Sequence, residues 1–258
     1  MVGLFFGELT TLDLEMAAFT GAAACVTLVV AYWMSKKSYH KWVARKLVHT
    51  VMGSIIGLTI VTYSSLSGPA LAASLFLVAL VCAWGLNRGS ITELLAAGTR
   101  DGESRAGTFF AGFVGLASFA VVFLLFPSRP EIFVSAILAV SWGDASGEVF
   151  GRTYGGKLVG RRYRGKSVEG SIAVFFFTAV SLFTAIAIYS QDTCPFCVIP
   201  QILVVSLAVS LLEAISNGWT DNLIIPLATA FLAWALMFPS TPLPFALIAL
   251  AFAFISSR

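Results

Sequence analysis

Charge is what this sequence most lacks. Of its 258 residues only 11% are Asp, Glu, Lys or Arg, while 58% are hydrophobic and the mean hydropathy is +0.90. A soluble domain carries roughly 25% charged residues. No soluble core buries so much apolar side chain, so the composition argues against a soluble domain, and lipid is the expected solvent. The cysteines provide no disulfide framework. Cys25 and Cys82 lie inside apolar runs and read as small core residues, and Cys194 and Cys197 form a CPFC pair in a short loop. That pair lacks the further ligands or βαβ context that metal or thioredoxin-like chemistry needs, and reads as loop thiols or a local disulfide. The N-terminus has no basic stretch leading to a cleavage site, so its first long apolar run reads as a span. No internal repeat or low-complexity tail is visible. A net charge of only +3 by itself says nothing about nucleic acid, and no nucleic-acid partner is expected.

What the sequence has instead is apolar runs of membrane-crossing length. A span needs about 20 apolar residues. Nine segments qualify: 13–34, 44–62, 67–84, 107–126, 131–150, 168–189, 197–216, 222–238 and 242–257. The expected fold is therefore all-α, with 1–258 forming a single polytopic transmembrane domain. Basic residues orient it, because Lys and Arg collect on the cytoplasmic side. Lys36, Lys37, Lys41, Arg45 and Lys46 follow the first span, and Arg88, Arg100 and Arg105 the third. Arg152, Lys157, Arg161, Arg162, Arg164 and Lys166 follow the fifth, and Arg258 the ninth. With the N-terminus outside and the C-terminus cytoplasmic, only Arg129 departs from the pattern. Glu8, Asp13 and Glu15 then lie outside, and Trp33, Trp42, Trp84, Trp142 and Trp219 fall near inner span ends as an aromatic belt. Loops 35–44, 85–106, 151–167 and 217–221 would form the active, cytoplasmic face. Within 85–106, Ser90 and Glu93 make a capping-box pattern that would start a short surface helix.

Three polar clusters interrupt the apolar pattern, all on that face. In the first, Arg45, Lys46 and His49 share one side of a helix by their spacing of three and four, with Gly53 a turn further. A basic membrane anchor accounts for Arg45 and Lys46 but not for the deeper His49. In the second, Asp144 and Glu148 lie four apart, where like charges repel unless a cation or a loop arginine compensates them. Mg²⁺ is commonly held by one or two carboxylates together with substrate phosphates. The loop that follows contains Gly151, Arg152, Gly155, Gly156, Lys157, Arg161, Arg162, Arg164, Gly165, Lys166 and Ser167, with no acid before Glu169. Glycines expose backbone N–H groups, basic side chains add charge, and a helix N-terminus follows, a combination suited to polyphosphate. A positive-inside loop needs the charge but not the glycines. Gly160 to Ser167 also matches the P-loop pattern, but a P-loop needs a buried strand and a soluble βαβ unit, which this context excludes. The third cluster runs from Glu213 to Pro226, with Glu213 inside an apolar run and Asp221 and Asn222 opening the next, where Asp221 also fits a helix cap.

Taken in order, RKLVH, GDASGEVFGRTYGG, GKSVEGS and a glutamate followed by TDNLIIPL resemble the CTP-dependent lipid-alcohol kinases. That family includes dolichol kinase, phytol kinase and the yeast-type diacylglycerol kinase, and is distantly related to phosphatidate cytidylyltransferases. The motifs cover residues 45–226. By this resemblance Arg45, Lys46, Asp144, Gly151, Lys166, Glu169, Asp221 and Asn222 match motif positions, with Asn222 on the nucleotide. Gly143 stands where the family often has Ala, and the C-terminal acidic signature of cytidylyltransferases is not found.

The resemblance implies transfer of the γ-phosphate of CTP to the hydroxyl of a membrane lipid, with Mg²⁺ or another divalent metal. Asp144, with Glu148 or Asp221, would hold the metal. Lys166 and the loop arginines would cradle the triphosphate, with Arg45 and Lys46 on its other side. His49, Glu169 or Glu213 would accept the alcohol proton. An isoprenoid acceptor of phytol, prenol or dolichol type is preferred to a glyceride. The alternatives are a diacylglycerol kinase, a CDP-lipid synthase and a transporter, although transporters tend to place charge at the bilayer midplane and often in repeats.

Overall fold

A computed structural model of the chain describes residues 7–37, 39–86, 105–157, 162–163, 165–216 and 220–241. Among them the protein is helical apart from one short ribbon. Helices α1 (Thr11–Lys36), α2 (Lys41–Thr59), α3 (Ser67–Leu86) and α4 (Arg105–Leu125) come first. Next comes an unbroken helical rod from Pro130 to Tyr154, consisting of α5 (Pro130–Leu138), a π-helical segment (Ala139–Asp144) and α6 (Ala145–Tyr154). Strands β1 (Arg162–Tyr163) and β2 (Lys166–Ser167) pair antiparallel and lead into α7 (Val168–Tyr189), α8 (Ile199–Ile215) and α9 (Asp221–Met237). Helices thus stand at eight of the nine apolar segments, and 242–257 lies outside the described residues, as do 90–93.

Among the described residues four helices are long and apolar enough to cross a membrane: Thr11–Met34, Trp42–Thr62, Pro130–Tyr154 and Val168–Tyr189. Shorter apolar helices lie at Ser67–Ala79, Phe110–Leu125, Ile199–Ile215 and Asp221–Met237. Large apolar side chains such as Val26, Phe113, Ile172, Phe176, Leu207 and Leu211 point outward and are more than half exposed. Water would penalise such a surface, whereas hydrocarbon would not, so these helices are compatible with an integral membrane protein.

The rod from Pro130 to Tyr154 is the axis of the bundle, with 78% of its apolar window buried against 17–39% for the other three long helices. It packs against α2, α7 and α9. Small residues permit this. A Cβ on Gly147 would come within 2.5 Å of Val174 Cγ2, and one on Gly170 within 2.8 Å of the Gly147 carbonyl, so α6 and α7 touch through backbone. Buried hydroxyls on the rod are satisfied within it, Ser135 donating to the Glu131 carbonyl at 2.6 Å and Ser141 to that of Ile137 at 2.8 Å.

The chain runs up and down, so alternate connections gather at the same end. One end holds Asp13, which accepts from the backbone and hydroxyl groups of Thr10, Ser64 and Ser65. It also holds Arg129, the exception to the charge pattern, paired with Glu131 at 3.1 Å and Asp192 at 2.8 Å. The opposite end gathers the starts of α2, α7 and α9 and the ends of α6 and α8.

Candidate active site

The three sequence clusters meet at that opposite end. Asp144 is the last residue of the π-helical segment, Glu213 lies in the last turn of α8 and Asp221 is the first residue of α9. One carboxylate oxygen from each lies within 4.8 Å of the others, and all three residues are buried. Three carboxylates in a low-dielectric interior repel strongly unless cations intervene. Two lysines do so. Lys46 Nζ lies 2.5 Å from Asp144 Oδ2, 3.2 Å from the Asp144 carbonyl and 3.3 Å from Glu148 Oε2. Lys166 Nζ lies 2.5 Å from Glu213 Oε1, 2.5 Å from the Glu213 carbonyl and 3.5 Å from Asp221 Oδ2. The Ser216 hydroxyl adds a hydrogen bond to Asp221.

Helix geometry explains the first half. Asp144 and Glu148 do share a face, and Lys46 bridges both. A π-helical turn widens the rod just before Asp144, a distortion frequent at functional sites. Glu148 does not join the carboxylate triad. It pairs with Arg45 and, at 2.9 Å, with Arg152, while the Arg152 guanidinium also stacks 5.3 Å from the Trp42 ring centroid. The acid facing Asp144 is Glu213, which the sequence offered only as a proton acceptor. His49, half-buried one turn beyond Arg45, lies near enough to Asp144 to act on its charge.

The glycine-rich loop is only partly an open cradle. Gly151 and Gly155 clear space for Ser167, since a Cβ on Gly155 would lie 2.8 Å from its hydroxyl. Ser167 in turn caps α7 by accepting from the Gly170 amide at 3.1 Å. Glu169 is buried and accepts from the Gly156 amide at 3.2 Å, holding a turn that needs Gly156 at φ 78°. Gly165, at φ 83°, faces open space and turns β1 into β2, which aims Lys166 at the triad. Lys157 is exposed. Arg161 and Arg164 lie outside the described residues, and Arg162 is described only in its backbone.

Asn222 has a structural partner. Its side-chain amide donates to the Ala111 carbonyl at 3.0 Å, and its own carbonyl accepts from the Ser118 hydroxyl at 2.8 Å. Pro226, four residues on, has no N–H to give that carbonyl, so α4 supplies the missing donor. This fixes the start of α9, and Asp221 with it. Ser216 was missed in the sequence. Its signal is slight: a serine lying between Glu213 and Asp221 in the third polar cluster.

The residues fit a divalent cation. Mg²⁺ binds hard oxygen donors at about 2.1 Å, which puts opposite donors about 4.2 Å apart. The triad offers three such oxygens within 4.8 Å. Its surroundings are balanced, with Asp144, Glu148, Glu213 and Asp221 set against Arg45, Lys46, Arg152 and Lys166. A neutral set of four acids and four bases, buried apart from Arg152 at its edge and the half-buried Lys166 and Glu148, can take up a metal and a polyphosphate as a pair, because one charge offsets the other.

Comparison with protein-family models, with characterised proteins and with solved structures finds no match to this chain.

Proposed function

We propose that this protein is an integral membrane kinase that transfers the γ-phosphate of CTP to the hydroxyl of a lipid alcohol, with an isoprenoid acceptor preferred. One observation carries the reading: three buried carboxylates and two lysines, drawn from five separate elements of the fold, converge at one end of a bundle of apolar helices. Phosphoryl transfer asks for positioning and charge neutralisation, not covalent chemistry, and this cluster is equipped for both. Nine spans with the N-terminus outside would put the cluster on the cytoplasmic face, where a water-borne nucleotide meets a lipid hydroxyl.

In this mechanism Asp144, Glu213 and Asp221 would hold a divalent ion, which would supply positive charge to offset that of the polyphosphate. Lys46 and Lys166 swing from carboxylates to phosphate oxygens on their flexible stems. Arg45 and Arg152 hold Glu148 and keep the first turn of α6 in place. Glu169 orients the Gly156 turn beneath the nucleotide. The lipid proton passes to His49, Glu169 or Glu213, which single substitutions would distinguish.

The test is transfer from γ-labelled CTP, and separately γ-labelled ATP, in bilayers with Mg²⁺ and a panel of phytol, geranylgeraniol, dolichol and diacylglycerol. Label in one lipid establishes donor and acceptor together. Pyrophosphate release with phosphatidic acid would instead mark a CDP-lipid synthase. Thermal stabilisation by CTP with Mg²⁺ separates a kinase from a transporter, which has no reason to bind nucleotide.

A further inference from the structure

The turn between α7 and α8 carries chemistry that the proposed function does not use. Cys194 and Cys197 are both exposed. The Cys197 amide donates to the Cys194 carbonyl at 3.0 Å, which closes a four-residue turn. Such a turn keeps its first and last Cα atoms within about 7 Å, and a disulfide requires roughly 4.4–6.8 Å. Two residues hold this shape. Pro195 sets the backbone dihedral at the second position. Phe196, at the third, meets the Phe183 ring edge-on with centroids 5.1 Å apart, which ties the turn to α7.

We propose that Cys194 and Cys197 form a redox-active dithiol that closes into a disulfide across its own turn by exchange with a small-molecule disulfide. Cys194 leads. Its sulfur receives hydrogen bonds from the Cys197 thiol and from the Phe196 and Cys197 amides, which hold its pKa below the usual thiol value, while the same contact raises that of Cys197. Asp192 is the nearest acid along the chain, and its charge is drawn away by Arg129 at 2.8 Å. The Cys194 thiolate attacks one sulfur of the oxidant and releases the other half as a thiol. Cys197 then gives up its proton and attacks the Cys194 sulfur in the mixed disulfide, releasing the second half. Two electrons and two protons leave the protein with two small thiols. Closing so short a loop removes little chain entropy, so the bond is reactive more than structural.

The experiment equilibrates the full-length protein in detergent–lipid micelles with mixtures of reduced and oxidised glutathione. Free thiols are then alkylated and the peptides weighed. The peptide holding Cys194 and Cys197 should lose both alkyl groups in one transition and weigh two hydrogens less than the dithiol, while Cys25 and Cys82 keep their labels. Cys197→Ser should accumulate glutathione on Cys194, at least about tenfold above the unsubstituted protein, because the resolving thiol is gone. Separate glutathione adducts on both cysteines without ring closure would overturn the proposal. So would full alkylation of both under excess oxidised glutathione.

Discussion

The two ends of this bundle hold buried acids by opposite means. Asp13 is fully buried and accepts six hydrogen bonds from the amides and hydroxyls of Thr10, Ser64 and Ser65. Those donors belong to the backbone or to short side chains, so the arrangement has one geometry. At the other end Asp144, Glu213 and Asp221 are held chiefly by ammonium groups on four-carbon stems, which can turn to another anion and leave room for another cation. Burial alone therefore does not mark a functional acid. What distinguishes the two ends is whether the compensating partner can be exchanged.

The contrast breaks first at Asp144. Asp144→Asn should lower phosphate transfer by on the order of 10³-fold, the scale of charge-neutralising groups in this chemistry, whereas Asp13→Asn should leave it unchanged. Normal turnover and metal binding by Asp144→Asn would remove the proposed role of the triad. Lys46→Met should be the next largest effect. It leaves Asp144 without its ion-pair partner, while Glu148 keeps Arg45 and Arg152, and thermal unfolding should lose about 3–5 kcal/mol, part of which Lys46→Met with Asp144→Asn should restore.

Asp13→Asn exchanges an acceptor for a partial donor among fixed donors, and should cost about 1–3 kcal/mol of stability with no change in nucleotide binding. A drop in transfer comparable to that of Asp144→Asn would show that both ends serve the reaction.

The smallest effect belongs to Asp192. The Arg129 hydrogen bond holds its pKa down to about 2 from an ordinary 3.8. A carboxylate depressed on folding contributes stability above its unfolded pKa and loses it as pH falls toward the folded value. The difference in melting between the protein and Asp192→Asn should be present at pH 5 and fade between about pH 4 and 2. Because the Asp192 side chain is 57% exposed, it should stay below about 1 kcal/mol.

Much of the architecture was legible because lipid-length apolar runs leave little choice of secondary structure. The segment 168–189 coincides with α7, and the seven other segments within the described residues shift by a few residues. The pairing of Asp144 with Glu148 on one face was legible because it is local, a matter of four residues along one helix. The partners of those acids were not, because they arrive from far away: Lys46 lies 98 residues from Asp144, and Lys166 lies 47 from Glu213. Resemblance alone puts Asn222 on the nucleotide; its amide donates to the Ala111 carbonyl and its own carbonyl accepts from Ser118, a donor that Pro226 makes necessary.

The sequence by itself determined that the chain is helical, which segments are apolar enough to demand a non-aqueous neighbour, and that its few charges cluster at helix ends. Those are consequences of composition and local spacing. Only the tertiary structure decided that Pro130–Tyr154 is the buried axis, that Glu213 and not Glu148 faces Asp144, and that lysines from two other helix starts compensate the triad. The reason is that all the long helices are apolar enough to share one solvent. Hydrophobicity drives each into the same solvent without ranking one partner above another, so close packing at Gly147 and Gly170 and the pairing of buried charges select the arrangement.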